Sequence, residues 1–189
     1  MADYRRPFVP GGMFFLTIVT HDRRAMLLEP NARAALRRAI DETRESLPFD
    51  LIAIVVLPDH LHLMLELPTG EADVSSRVGS IKALFTKTYL ATGGIESTQS
   101  DSRTTHRHRG VWQRRFHDHA IRDDRDFQEH LDYLVYNPVH HGLCKCPHDW
   151  PHSSFHRLVK QGVYERDWSC SCNGERRTSP RAPTHLRFD

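Results

Sequence analysis

The sequence predicts an α+β domain of the ferredoxin-like kind: a β-α-β-β-α-β antiparallel sheet followed by an added tyrosine-bearing helix and further short helices. Three observations carry this reading. Runs rich in β-branched and aromatic residues alternate with segments of helical apolar spacing, in that order. The turn Pro58-Asp59 separates two apolar runs so narrowly that they form a hairpin. Beyond the last strand, a long amphipathic segment adds one more helix.

Each element has its own signal. Met13–Thr20 follows Gly11-Gly12 and is rich in strand formers. Residues 31–46 place Ala35, Leu36, Ala39, Ile40 and Thr43 on one helical face, with Asn31 as the cap. Phe49–Leu57 is the second strand and Leu61–Leu67 the third, with His60 at the exit of the turn. Ser75–Ala91 is a helix, amphipathic through Val78, Ile81, Leu84, Phe85 and Leu90. Phe116–Arg122 is the fourth strand. The added helix spans Asp124–Asn137 and carries the apolar stripe Phe127, Leu131 and Leu134. Asp123 or Asp124 caps it, and the acidic first turn suits the helix dipole. Pro138 is expected to end it, because proline lacks a donor and restricts the residue before it.

At 189 residues and 39% hydrophobic content, the chain can bury one compact core. No apolar run approaches the roughly 18 residues of a membrane span. No apolar stretch of a signal peptide follows Met1-Ala-Asp-Tyr-Arg-Arg, so a cytoplasmic, nucleoid-associated location is expected. The net charge of +2 says little about nucleic acid, but the uneven arginines allow local positive surface. One domain is expected over residues 1–168. Within it, residues 92–110 form a polar, mobile insertion, and residues 169–189 a disordered tail. Four cysteines occur as Cys144-Lys-Cys146 and Cys170-Ser-Cys172. Structural zinc sites usually space their ligands more widely, so reduced thiols are expected rather than a tetrathiolate.

Strand side chains alternate between faces. His60 and His62, with Glu66 beyond them, therefore project from one face of the third strand, and Leu61, Leu63 and Leu65 from the other. A histidine pair in an apolar frame can hold a metal ion, although histidines on a solvated sheet face fit the same pattern. His106 and His108 repeat the spacing in a polar loop and read as solvated. On the added helix, Tyr133 and Asn137 are four apart and share a face. Tyr136 lies about 60° further round. A lone helical tyrosine is otherwise a packing residue.

Together these residues resemble a known family. His60-Leu61-His62 is similar to the His–hydrophobic–His motif of HUH single-tyrosine nucleases, and the closer resemblance is to REP-associated tyrosine transposases. It covers residues 4 to 168. It includes Tyr4-Arg5-Arg6, Gly11-Gly12-Met13-Phe14-Phe15, Val56-Leu57-Pro58-Asp59-His60-Leu61-His62 and Trp112-Gln113-Arg114-Arg115-Phe116. It continues through Asp132-Tyr133-Leu134-Val135-Tyr136-Asn137-Pro138-Val139-His140-His141-Gly142-Leu143 and ends at Asp149-Trp150-Pro151-His152-Ser153-Ser154-Phe155-His156.

The resemblance implies a metal-dependent single-strand DNA endonuclease and strand-transferase acting on REP-type hairpin DNA, as a monomer or homodimer. It implies Tyr133 as the nucleophile, a 5′-phosphotyrosine intermediate, and a divalent metal on His60 and His62. Asn137, one turn beyond Tyr133, matches a polar position of related enzymes and is the expected third ligand. Mixed nitrogen and oxygen ligation suits Mn²⁺ and tolerates Mg²⁺. Tyr136 competes as nucleophile, Asp59 reads as a turn residue and Glu66 as a solvated strand end. Arg5 and Arg6 resemble a DNA-recognition segment. Lys82 and Lys87 on the second helix, and Arg114 and Arg115 beside Trp112 and Phe116, are further DNA candidates: the rings would stack on bases and the cations meet phosphates. No phosphate-binding Gly-x-x-x-x-Gly-Lys loop is present, so ATP is not required. Two rival readings are a catalytically inactive hairpin DNA-binding regulator and a zinc scaffold built on the cysteines.

Overall fold

The computed structural model describes residues 9–97 and 109–170. Arg5, Arg6, the His106/His108 pair, most of the expected insertion, Cys172 and the tail beyond it lie outside the described residues. Four strands, β1 (Met13–Val19), β2 (Asp50–Val56), β3 (His60–Glu66) and β4 (His117–Ala120), form one sheet in the order β2-β3-β1-β4. All three pairings are antiparallel, which is the ferredoxin-like arrangement.

Helices α1 (Pro30–Ser46) and α2 (Val74–Ala91) cover one sheet face. Pro30 opens α1 one residue before the expected Asn31 cap, since proline tolerates the first helical position. Asp73 caps α2 by accepting from Ser76 N at 2.9 Å. Phe14, Leu16 and Ile18 of β1 and Leu61, Leu63 and Leu65 of β3 pack into this layer with Ile40, Ile81 and Phe85. Fully burying each such side chain stabilises the fold by roughly 1.5–3 kcal/mol. A bulge between Leu51 and Ala53 shifts the alternation of β2 by one residue.

The opposite face is covered by α3 (Asp124–His140), which follows β4 directly. Leu131, Leu134 and Val135 pack on Phe15, Ala53, Val55 and Met64. Asp123 caps α3 through Asp126 N at 2.8 Å. Pro138 does not end this helix, contrary to expectation. It sits in the last turn, where its missing donor forfeits only one bond, and the helix runs on to His140. The end is set by Gly142, with φ +68°. Gly142 N donates to Val139 O and Leu143 N to Pro138 O, both at 2.9 Å, the pairing of a glycine-closed helix terminus.

After α3 the chain returns along the free edge of β2. Val56 N donates to His152 O at 2.9 Å and Ser154 N to Ile54 O at 2.8 Å, so the edge is covered. The short helix α4 (Phe155–Lys160) follows. Phe155, Tyr164 and Trp168 then stack behind α3, with the Tyr164 and Trp168 rings 4.7 Å apart. Cys146 and Cys170 are bonded to each other, which corrects the expectation of reduced thiols at these two positions: the chain returns across 24 residues to set them side by side. No helix among the described residues is long and apolar enough to cross a membrane.

A Cβ at position 142 would meet nothing within 4 Å, so Gly142→Ala costs only its left-handed backbone. The expected loss is about 1 kcal/mol in urea denaturation. An unchanged midpoint would mean that this glycine does not set the end of α3.

Candidate active site

The site forms where β3 meets α3. Alternation along β3 turns His60 and His62 away from the leucine layer, toward α3. Both are buried, His62 completely. Their rings lie 5.0 Å apart, and the Tyr133 ring lies 5.4 Å from His62. Tyr133 is 4% exposed and Asn137 fully covered. Tyr133, Asn137, His60 and His62 therefore all line the α3 side of the sheet. Tyr136 points elsewhere, packing edge-on against Trp168.

Each imidazole is held by its Nδ1. His60 Nδ1 lies 2.7 Å from Asp59 Oδ1. Burial works against ionisation of Asp59, but hydrogen bonds from His60 and Arg23 outweigh it and hold this carboxyl below the usual carboxylate range. An ionised carboxylate only accepts, so His60 Nδ1 donates, which leaves Nε2 for any other partner. Asp59 is thus the orienting partner of His60 rather than only the turn residue expected. His62 Nδ1 meets Thr17 Oγ1 at 2.9 Å, across the β1–β3 register. Burial, then the nearby charges of His60, His141 and Arg23, push His62 well below the ordinary histidine range. It stays neutral at neutral pH, as a metal ligand must.

The donor set fits a divalent cation. His60 Nε2 and both polar atoms of the Asn137 amide are buried without a hydrogen-bond partner among the described residues. Leaving such groups unpaired costs roughly 1–3 kcal/mol each, so the cluster is built to receive something. Two imidazole nitrogens and an amide oxygen match the mixed ligation expected for Mn²⁺ or Mg²⁺. The carboxylate–histidine pairing of Asp59 and His60 is the usual support of a metal-bound imidazole.

Several contributors were not legible in the sequence. His141, just past α3, sets its ring 5.2 Å from His60 at an exposed rim. Arg23 bonds Asp59 Oδ2 at 3.2 Å from a turn in which Asp22 and Arg23 both adopt left-handed backbone. A second cluster, His119, Asp126 and His130, also gathers ligating atoms. Asp126 Oδ2 accepts from His119 Nε2 at 2.8 Å and from Arg122 N and Nε at 3.0 Å each. His130 Nδ1 meets Asp126 O at 2.7 Å. With its donors so committed, this cluster ties α3 to β4.

The expected DNA contacts divide. Trp112 is 6% exposed and packs 4.8 Å from the Phe85 ring, so it belongs to the core and is not presented to bases. Phe116 is half-buried against the same core. Lys82 Nζ donates to Gln113 O at 2.6 Å and Arg114 O at 3.2 Å; its charge holds this segment in place. Lys87, Arg114 and Arg115 are exposed. Thr20 bridges Trp112 and Gln113 N bonds Val19 O, while Val19 pairs with His60. The two arginines therefore follow a segment anchored at the His60 end of the sheet. Glu66 is exposed at the far end of β3.

A sheet with helices on one face and a His-x-His pair under a tyrosine helix on the other defines the class of the molecule. The chain belongs to the IS200-like transposase family, whose description matches residues 12–134. Within it, the similarity points to REP-associated tyrosine transposases. The Escherichia coli K12 protein of that name is 40% identical over 169 residues, spanning 89% of this chain and 92% of its own. A Haemophilus influenzae relative, provisionally named the same, is 43% identical over 169 residues, 89% of this chain and 93% of its own. A solved REP-associated tyrosine transposase bound to a REP hairpin superposes with a TM-score of 0.75 at 37% identity, covering 96% of this chain and 98% of that one.

Asp126 gives a pH prediction. Burial raises its pKa, but hydrogen bonds from Arg122 and His119 outweigh this and hold it far below the usual range. A depressed carboxyl stabilises the fold fully above the unfolded value of about 3.9 and loses that contribution as pH falls toward its folded value. Asp126→Asn is expected to lower stability by about 1–3 kcal/mol at pH 7. The gap to the parent should narrow below about pH 4. Equal stability at pH 7, measured by urea denaturation, would remove Asp126 as the tie between α3 and β4.

Proposed function

We propose that this chain is a metal-dependent single-strand DNA endonuclease and strand-transferase acting on REP-type hairpin DNA. The observations that carry this reading are the Tyr133 ring beside His62 and His60 on the covered face of the sheet, Asn137 one turn further along the same side of the helix, and buried polar atoms of His60 and Asn137 that no described residue pairs. The relative bound to a REP hairpin supports the choice of substrate.

In this reading His60, His62 and Asn137 would hold the cation, with Asp59 and Thr17 fixing the two rings. A bound Mn²⁺ or Mg²⁺ supplies polarisation of the scissile phosphate. Tyr133 Oη attacks phosphorus and the DNA 3′-oxygen leaves. The phenol loses its proton, the 3′-oxygen gains one, and the 5′-phosphate stays on the tyrosine. A second 3′-hydroxyl reverses the step without ATP, because one phosphodiester replaces another. Arg23, half-exposed beside Asp59, offers positive charge to the phosphate. At 4% exposure, Tyr133 has to be uncovered before a phosphate reaches it. Arg114, Arg115 and Lys87 provide exposed cations for the phosphate backbone, and Arg5 and Arg6 are assigned to hairpin recognition.

Tyr133→Phe is expected to abolish the covalent adduct with a single-stranded REP-like hairpin oligonucleotide while hairpin binding persists. Tyr136→Phe should still form it. The reverse pattern would move the nucleophile to Tyr136. Tight hairpin binding by the unaltered protein with no adduct at any Mn²⁺ concentration would favour a non-catalytic regulator.

His60→Ala, His62→Ala or EDTA should each eliminate cleavage. Asp59→Ala should weaken Mn²⁺ binding by about 10–100-fold in calorimetric titration, because it only orients His60. Undiminished Mn²⁺ affinity in His60→Ala would place the metal elsewhere.

Annealing the full complement should suppress cutting, since Tyr133 needs a flexible strand. Raising salt should weaken binding through counterion release. Equal cutting of single strand and duplex would point to a double-strand nuclease instead.

A further inference from the structure

Away from the candidate active site, a second group of metal-ligating atoms lies beyond the end of α3. We infer that Cys146, Cys170 and His148 form a zinc site, and that the Cys146–Cys170 disulfide is its oxidised, metal-free state.

The ligating atoms of these three residues all lie within 4.8 Å of one another. Tetrahedral zinc, with bonds of about 2.3 Å to sulfur and about 2.0 Å to nitrogen, needs ligand atoms somewhat under 4 Å apart. Reaching that spacing needs the sulfurs to part and the imidazole to close in on them. Local structure explains the convergence. A single turn of 3-10 helix at Pro147–Asp149 folds His148 back toward Cys146, with Asp149 N donating to Cys146 O at 3.0 Å. A bond from Cys170 N to Asp167 O at 3.1 Å closes the turn that delivers Cys170.

His148 has the tautomer a ligand needs. Its Nδ1 lies 3.0 Å from Arg166 O, and a carbonyl can only accept, so Nδ1 donates and Nε2 is the nitrogen a metal would take. Asp149 Oδ1 lies 3.4 Å from Nε2, but Asp149 is exposed and can turn to water. A fourth ligand can come from Cys144, which is outside the disulfide, or from water. The three-residue set uses one cysteine from each Cys-x-Cys doublet plus a histidine. It avoids making each narrow Cys-x-Cys pair chelate the ion alone, which was the argument against zinc from spacing.

The site would join the exit of α3 to the segment carrying Tyr164 and Trp168, which packs on Tyr136 and Phe155. It would clamp the C-terminal element to the back of the tyrosine helix. The exchange balances. Two molecules of a thiol reductant give two electrons and two protons to the disulfide and become a disulfide themselves. Zinc then binds the freed sulfurs and releases one proton per cysteine ligand.

The test uses the full chain, purified with a phosphine reductant that does not bind zinc, and elemental analysis after exhaustive dialysis. The expected result is about one zinc per chain, falling at least about tenfold in Cys146→Ser/Cys170→Ser and after peroxide oxidation. Zinc should persist in His60→Ala/His62→Ala, which removes the other histidine site. Cobalt added to the reduced parent protein should show sulfur-to-metal charge transfer, which needs no variant to fold. No retained zinc together with no charge-transfer band in the reduced parent would overturn the proposal. So would full zinc occupancy in the double serine variant.

Discussion

The register of β3 between β1 and β2 is the constraint on which the rest depends. Val19 faces His60, and Thr17 and Val55 flank His62. Side-chain period in a strand is two, so a slip of one residue would send both histidines into the leucine layer and turn Leu61 and Leu63 toward α3. Burial of those leucines against α1 and α2 forbids the slip. The chemistry of one face is therefore held in place by the hydrophobicity of the other. The same register brings Thr17 to His62, so the histidine is oriented by a residue 45 positions away.

The second requirement is a cover for the histidine face. Helix α3 meets it with a mixed surface. Leu131, Leu134 and Val135 supply apolar contact, while Tyr133 and Asn137 carry polar groups into the same interface. Burying those groups is unfavourable by itself, and the surrounding packing offsets it. Asp126 fixes the N-terminal end of α3 to β4 through His119 and Arg122. Gly142 closes the other end, and His141 is left at the rim of the site.

Much of the fold was readable from residue order. The alternation of strand-forming and helical segments, the narrow Pro58-Asp59 turn and the acidic caps implied the sheet and its helices. The pairing of His60 with His62, and of Tyr133 with Asn137, followed from periods of two and 3.6 residues. Pro138 misled because its effect depends on position: in a last turn it removes one bond rather than breaking the helix. The burial of Trp112 could not be read, because an aromatic beside arginines looks the same in sequence whether it faces solvent or Phe85.

The sequence by itself determined which face of each element is apolar, and hence the sheet, its helices and the two residue pairs at the site. These are local properties, set by spacing along one strand or one helix. Only the tertiary structure decided that the two pairs meet, that Asp59 and Thr17 hold the imidazoles, and that Arg23 and His141 border them. It also decided that Cys146 and Cys170 lie together. Such contacts depend on strand register, on the direction in which α3 crosses the sheet and on where the chain returns. Those are fixed by packing between segments far apart in sequence, and spacing along the chain carries no record of them.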